Sequence, residues 1–236
     1  MPDWKFSTHT NKKLINASIR SYFIFLGILI CSIYYYPGSH HKDTTTLSYS
    51  ITHNFLSDLG LTIVYSGEQN FISSTLFVFA TTLVCIGLVA YFLVIPSILN
   101  KGNISSKFAK LGSVSGIICG IAFMGVGFTP HNYYLDEHMF FVKLGFQLFL
   151  VVMLLHSLAI LKNKVGLDKR ILWVYFVFMG VLLFHIYLLN WGPSVNEGYG
   201  LVLKVVWQKV TVIGLSTTVF LQALIIKKYI HSLPET

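Results

Sequence analysis

Long apolar runs alternate with short polar connections along almost the whole chain. Six of these runs approach the roughly 20 residues that a membrane-spanning helix needs. We expect helices at residues 21–36, 70–95, 107–128, 139–161, 171–191 and 200–226. The pattern therefore predicts an all-α fold, a polytopic membrane protein built as a six-transmembrane-helix bundle.

Composition leaves little room for anything outside the membrane. Of the 236 residues, 54% are hydrophobic and only 11% are charged, which excludes an ordinary soluble domain and a disordered chain. We expect a basic tail at 1–20, a single transmembrane domain at 21–226 with a long outer loop at 37–69, and a second tail at 227–236. Any chemistry must therefore come from side chains on the helices or in their connections.

The net charge is +8, and the uneven placement of the basic residues indicates how the chain crosses the membrane. Thirteen of the 17 basic residues lie in the two tails and in the second and fourth connections, which share one side of the membrane: Lys5, Lys12, Lys13, Arg20, Lys101, Lys107, Lys110, Lys162, Lys164, Lys169, Arg170, Lys227 and Lys228. Because basic connections tend to stay in the cytoplasm, both termini are predicted to be cytoplasmic. We expect membrane lipids as partners, anionic lipids among them, and no nucleic acid.

The third predicted helix carries a ridge of small residues. Gly112, Gly116 and Gly120 follow one another at a spacing of four, which lets a second helix approach closely. We therefore expect this helix to be central in the bundle. If the ridge is not used within the bundle, it would serve as the contact surface of a homo-oligomer.

The candidate chemistry lies in the polar connections of the outer side. His53, Asp58, His131 and His138 combine imidazole nitrogens with a carboxylate, the usual protein ligands of zinc. A catalytic zinc needs about three such ligands and one open position, so Asp58, His131 and His138 are also the catalytic candidates. Their spacing is not diagnostic, because the sequence contains no His-Glu-x-x-His. The alternative is that they are hydrogen-bonded loop and capping residues in contact with water.

Further polar residues are candidates for contact with a lipid head group or an associated ion: Asn54, Asn132, Asp136, His185, Gln208 and Lys209. Lys209 lies in the outer half of the sixth predicted helix. A charge deep in a span costs roughly 2.5 to 3.5 kcal/mol on insertion scales, so its side chain should face a partner or a cavity. We expect that partner to be Asp58, Asp136 or the phosphate of a lipid.

Three motifs in a fixed order carry a family resemblance. They are Ser-Asp-Leu-Gly at 57–60, Gly-Phe-Thr-Pro-His at 127–131 with His138 seven residues on, and Gln208-Lys209. Together they resemble a family of six-helix prokaryotic membrane proteins named only as a domain of unknown function. That family is similar to the eukaryotic group of the GPI-anchor lipid-remodelling factor and the damage-regulated autophagy modulators. The resemblance spans residues 20–228 and implies a six-helix bundle with a polar site at its outer face, a role in lipid handling, and a location in the prokaryotic plasma (inner) membrane.

The chain also departs from that family. His131 and Asn132 stand where the family's pattern places an acid, and the acid falls later, at Asp136. A second resemblance, of site alone, is to membrane hydrolases that include alkaline ceramidases and adiponectin-receptor-like proteins. Those proteins bind zinc through three histidines, with a serine and an aspartate assisting. They have seven spans and a His-x-x-x-His in the final helix, both of which this sequence lacks.

Three functions fit these observations. The leading hypothesis is an integral membrane protein that binds or remodels lipid through the outer cluster. The first alternative is a zinc-dependent intramembrane hydrolase in which Asp58 acts as ligand or general base, with no other cofactor expected. The second alternative is an ion- or proton-coupled transporter or channel, because charged groups facing a cavity in the membrane mark ion pathways.

Overall fold

Six long helices form the protein, and they confirm the predicted all-α membrane architecture. The computed structural model describes residues 4–163 and 165–233. The helices are α1 (Thr8–Tyr34), α2 (Phe71–Ile98), α3 (Asn103–Phe128), α4 (Leu135–Lys162), α5 (Arg170–Trp191) and α6 (Gly200–His231), and the described residues form no strand. All six are long and apolar enough to cross a membrane. Lys164, at the start of the fourth connection, and the ends of both predicted tails lie outside the described residues.

Helix α1 begins well before its predicted start at residue 21. The Ser7 side chain accepts a hydrogen bond from the Thr10 amide, which caps the helix. Asn11 donates to Ser97 Oγ at 3.0 Å and so fixes this first turn against the end of α2. These polar contacts extend the helix through most of the segment that the apolar pattern alone predicts as a tail.

The helix connections gather at two opposite ends of the bundle. We call one the site end; it holds the connections at 35–70, 129–134 and 192–199, and a hydrogen bond of 3.1 Å joins His41 to Asn196 across it. The other is the tail end, where Asn163 donates to the Lys101 carbonyl at 3.2 Å. The predicted cytoplasmic assignment of the tail end rests on its basic residues.

The surface between the two ends suits lipid. Large apolar side chains face outward along the helices, including Phe79 and Val177, which are 58% and 70% exposed. Trp173 and Trp191 are also largely exposed, at the two ends of α5, where aromatic residues meet the membrane interface. The protein is therefore an integral membrane protein.

The glycine ridge of α3 is used within the bundle. A Cβ atom on Gly112 would lie 2.4 Å from the His156 ring of α4, and one on Gly116 would lie 2.4 Å from the Phe92 ring of α2. Gly120 faces Leu88 and Cys85 of α2 at 3.4–3.5 Å. No free ridge remains for the homo-oligomer that an unused ridge would allow.

Two alanine substitutions on this ridge are expected to change the stability of the protein differently. Gly116→Ala drives a methyl group into Phe92, which is 1% exposed and has no room to move, so we expect a loss of about 1–3 kcal/mol of stability. Gly120→Ala makes only ordinary contacts and gains helix propensity, so it is expected to be neutral or stabilising by up to about 1 kcal/mol. Thermal unfolding in detergent checks the pair, and equal effects would contradict this packing.

Candidate functional site

The connection between α1 and α2 folds over the site end. It contains the long outer loop predicted at 37–69, and residues 41–45 of that loop are exposed. Ser39 and His40 are buried, however, at 0% and 6% exposure. The second part forms a short 3₁₀ helix, Leu56–Gly60, that is buried throughout. We call the whole connection, residues 35–70, the cap. Its buried residues make it part of the folded core.

A tight turn lets the cap begin. Gly38 has φ of 114°, and a Cβ there would lie 2.3 Å from the Thr46 carbonyl oxygen. Ser39 also has a positive φ, of 67°, which is strained for a residue with a side chain. Hydrogen bonds hold it: its amide donates to Thr46 at 2.7 Å, and its carbonyl accepts from Asn54 Nδ2 at 2.9 Å.

Asn54 organises the centre of the cap. It is completely buried, and its Oδ1 accepts from the Ser50 amide at 2.9 Å. Its Nδ2 donates to Ser39 and to Asp58 Oδ2, the latter at 2.9 Å. Both polar atoms of the side chain are therefore engaged within the protein. Asn54, a candidate lipid contact from the sequence, lies where it positions Asp58.

Asp58 is the buried charge around which the cap is built. Only 1% of the residue is exposed. Besides Asn54, the Phe55 amide donates to Oδ2 at 3.1 Å, and His131 Nε2 lies 3.1 Å from Oδ1. Donors thus meet both carboxylate oxygens, as an acceptor-only group requires when it is taken out of water.

Tyrosines surround this carboxylate and remain neutral donors. Burial raises the pKa of the Tyr36, Tyr49 and Tyr65 phenols, and the negative charge of Asp58 raises it further. The Tyr49 hydroxyl donates to the Phe55 carbonyl at 3.1 Å. The phenols therefore keep their protons over the physiological pH range and add rigidity without adding charge.

The structure brings Asp58, His131 and His138 together. The two imidazole rings lie 5.4 Å apart, and His138 Nδ1 lies 2.7 Å from the Thr129 carbonyl oxygen. A carbonyl can only accept, so Nδ1 of His138 carries a proton and Nε2 keeps the lone pair of the neutral ring. By the same reasoning Nε2 of His131 carries a proton, which it donates to the Asp58 carboxylate.

His53 lies apart from this cluster. Its ring stacks on His40 at 4.8 Å, and its Nδ1 lies 2.9 Å from the Thr52 hydroxyl. Burial lowers the pKa of His40, and the facing His53 ring lowers it further. Among residues 4–163 and 165–233, no group of three or more His, Cys, Asp or Glu is arranged to hold a metal ion. The described side chains thus do not form a three-ligand zinc site, and zinc stays a prediction from the sequence.

Two side chains of helix α6 hydrogen-bond to the backbone of the cap. Lys209 donates to the Asn54 carbonyl oxygen, and its ammonium group lies 5.3 Å from the centre of the Tyr49 ring. This partner is a backbone carbonyl and an aromatic face, where we expected an acid or a lipid phosphate. Gln208 Oε1 accepts from the Leu56 amide at 2.7 Å and so ties the start of the 3₁₀ helix to α6.

Two of the remaining candidates lie at the rim. Asn132 Nδ2 donates to the Thr62 hydroxyl at 2.9 Å and joins the 129–134 connection to the cap. Asp136 is exposed in the first turn of α4, where a carboxylate is favoured by the helix dipole. The third, His185, is buried in α5 with its ring 4.4 Å from that of Phe146.

A cavity of about 580 Å³, which we call the site cavity, lies under the edge of the cap. Its polar lining comes from His41, His131, Asn132, His138, Lys204 and Gln208. It shares Ser57, Val142 and Gln208 with a second cavity of about 80 Å³ inside the bundle, which we call the interior cavity. The interior cavity is lined mainly by apolar side chains, among them Phe25, Phe77, Val126, Phe146 and Leu215. A mainly apolar cavity that carries several polar groups thus adjoins one whose lining is almost wholly apolar, and the two share these three lining residues.

A larger groove of about 860 Å³ lies elsewhere, between α5 and α6. Its lining is almost entirely apolar and includes the exposed Trp173, Val177 and Ile213. A groove of this kind on the membrane-facing surface is filled by ordinary acyl chains of the bilayer. It lacks the convergent polar groups that mark a specific site.

Sequence reasoning did not include Ser57, Val142 or Lys204 among the site residues. Lys204 shares a helix face with Gln208, four residues away, and this spacing was the available signal. No sequence pattern marks Ser57 or Val142 as a site residue. They line both cavities only because the folded chain places the cap close to α4. Comparison of the chain with family models, with curated proteins and with solved structures found no match.

Proposed function

We propose that this integral membrane protein binds one lipid-derived amphiphile at its site end. The observation that supports the proposal is that Ser57, Val142 and Gln208 line both the site cavity, which carries several polar groups, and the interior cavity, which is almost wholly apolar. An amphiphile has the same division. Its head group would meet the polar lining, and its chain would enter between the helices.

The chemistry of each chamber suits its part of the ligand. The site cavity offers the imidazoles of His131 and His138, the Asn132 amide and the Lys204 ammonium group as hydrogen-bonding partners. In the interior cavity, each buried methylene group would contribute about 0.8 kcal/mol. With the tail end predicted to be cytoplasmic, the ligand would come from the outer leaflet of the plasma membrane.

The proposal is tested by native mass spectrometry of the purified protein with single-chain amphiphiles of increasing length. We expect one bound amphiphile per protein, retained more strongly as the chain lengthens, because the two adjoining cavities together would hold one head group and one chain. A ladder of adducts that neither saturates at one nor depends on chain length would overturn the proposal, since that behaviour is typical of surface adsorption.

A second candidate function is hydrolysis of the bound lipid. The observation that favours it is the pair of Asp58 and His131, in which the carboxylate orients the ring and leaves the Nδ1 lone pair as a base. The test incubates the purified protein with an ester-linked amphiphile and follows the release of free acid, with metal content measured on the same sample. Release that persists in His131→Gln would exclude this role.

A further inference from the structure

A small recess opens beside the site cavity, between α5 and α6. Its volume is about 30 Å³, and it is lined by Phe55, His185, Leu188, Leu189, Lys204 and Gln208. Four of these residues, Phe55, Leu189, Lys204 and Gln208, also line the site cavity, so the recess is its side chamber. A water-sized group needs at least about 10–15 Å³ of such space, so the recess has room for one or two oxygen atoms.

His185 is the unusual member of this recess. The residue is 3% exposed, and both of its ring nitrogens are buried without a hydrogen-bond partner among the described residues. A buried polar atom without a partner costs about 1–3 kcal/mol, and almost all such atoms in proteins are satisfied. Its packing against Phe146 supplies no polar contact. The ring therefore lines the recess without a polar partner of its own in the described part of the protein.

Lys204 and Gln208 are also short of acceptors. Gln208 Oε1 is held by the Leu56 amide, which leaves the two N–H groups of Nε2 without a partner in the described part of the chain. Lys204 is half-buried and makes no hydrogen bond or ion pair with another described residue. No Asp or Glu of the described chain lines the recess or the site cavity. Three residues able to donate thus line the recess, and no described carboxylate lines it with them.

We infer that the recess binds the acid group of the amphiphile, a carboxylate or a phosphate, between Lys204, His185 and Gln208. This inference rests on the proposed function and names the class of its ligand. Lys204 supplies the positive charge, and His185 and Gln208 supply directed N–H donors, which together satisfy an anionic oxygen. The chain of the ligand would leave through the site cavity, and Gln208 lines both routes.

The experiment compares three probes of equal chain length: a saturated fatty acid, the corresponding lysophosphatidic acid and the uncharged monoacylglycerol. Affinities are measured by titration on the reconstituted full-length protein at a pH where both acids are ionised. We expect at least one acid to bind about tenfold or more tightly than the uncharged probe, since hydrogen bonds to a charged group are the strong ones. A preference for the fatty acid identifies a carboxylate site, and a preference for the lysophosphatidic acid identifies a phosphate site.

Substitutions assign the preference to the recess. Lys204→Met keeps the apolar stem of the side chain and removes its charge, so it should abolish the preference by weakening the binding of the acids far more than that of the uncharged probe. His185→Leu should reduce the preference in the same direction. Lys143→Met is the matched control, because Lys143 is also half-buried at the site end but lines neither chamber; it should retain the preference.

The outcomes separate this inference from the proposed function. Equal affinities for all three probes, or a preference that survives Lys204→Met, would overturn the acid site while saturable binding of one amphiphile still stood. If none of the three probes binds saturably, the proposed function fails as well.

Discussion

Asp58→Asn is expected to weaken binding of the amphiphile about tenfold or more and to loosen the cap. The substitution replaces an acceptor-only group with an amide whose NH₂ must face donors, among them Asn54 Nδ2 and the Phe55 amide. Leaving such groups unsatisfied costs about 1–3 kcal/mol, so affinity should fall about tenfold or more. Hydrogen exchange of residues 48–66, measured beside ligand titration, would show faster exchange confined to the cap.

Asp136→Asn is the matched control. Asp136 is exposed at the start of α4, so its replacement should leave both cap exchange and affinity unchanged. Unaltered exchange and affinity in Asp58→Asn would show that the buried carboxylate does not organise the site. A loss in both variants would point to net charge at the site end as the cause.

Val142→Phe is expected to block the passage of the chain while leaving the fold intact. Val142 is 6% exposed and lines both chambers, so a phenyl ring there would fill the junction between them. If about four methylene groups are excluded at about 0.8 kcal/mol each, affinity for a long-chain amphiphile taken up from water should fall about 200-fold. Chain-length series on the variant and the wild type check this, because a short-chain probe should bind both equally.

Val151→Phe tests whether a larger residue on the same helix is tolerated. Val151 is 40% exposed on the outward surface of α4, where a phenyl ring would meet lipid, so its binding should equal that of the wild type. Equal long-chain affinity in Val142→Phe and wild type would contradict the route through the junction. An unfolded Val142→Phe would be recognised by its lowered melting temperature, and Val142→Leu would then supply the milder block.

The six helices could be predicted from the sequence, whereas the folded structure of the cap could not. Each of the six apolar runs became a helix because a membrane-spanning segment must satisfy its own backbone hydrogen bonds. The early start of α1 was missed because it depends on Asn11 meeting Ser97, 86 residues away. The cap was likewise hidden, because its polar residues are buried only through contacts such as that of Leu56 with Gln208.

The site was partly predictable. Asp58, His131 and His138 were expected to converge because they lie in connections on the same side of the membrane. His53 was included on the same ground, but it precedes Asn54 and its ring turns toward His40. The partner of Lys209 could not be foreseen, since it is a backbone carbonyl. The cavities and the unpaired nitrogens of His185 arise from packing between helices, which no local pattern contains.

The central claim is that an amphiphile places its chain inside the bundle, and photo-crosslinking tests it most directly. The probe is a single-chain acid with a photoreactive group near the end of the chain, and labelled peptides are mapped by mass spectrometry. We predict labels on the walls of the interior cavity, in the segments around Phe77, Val126 and Leu215, with loss of those labels in Val142→Phe. Labels confined to the groove between α5 and α6, around Val177 and Ile213, would contradict the account.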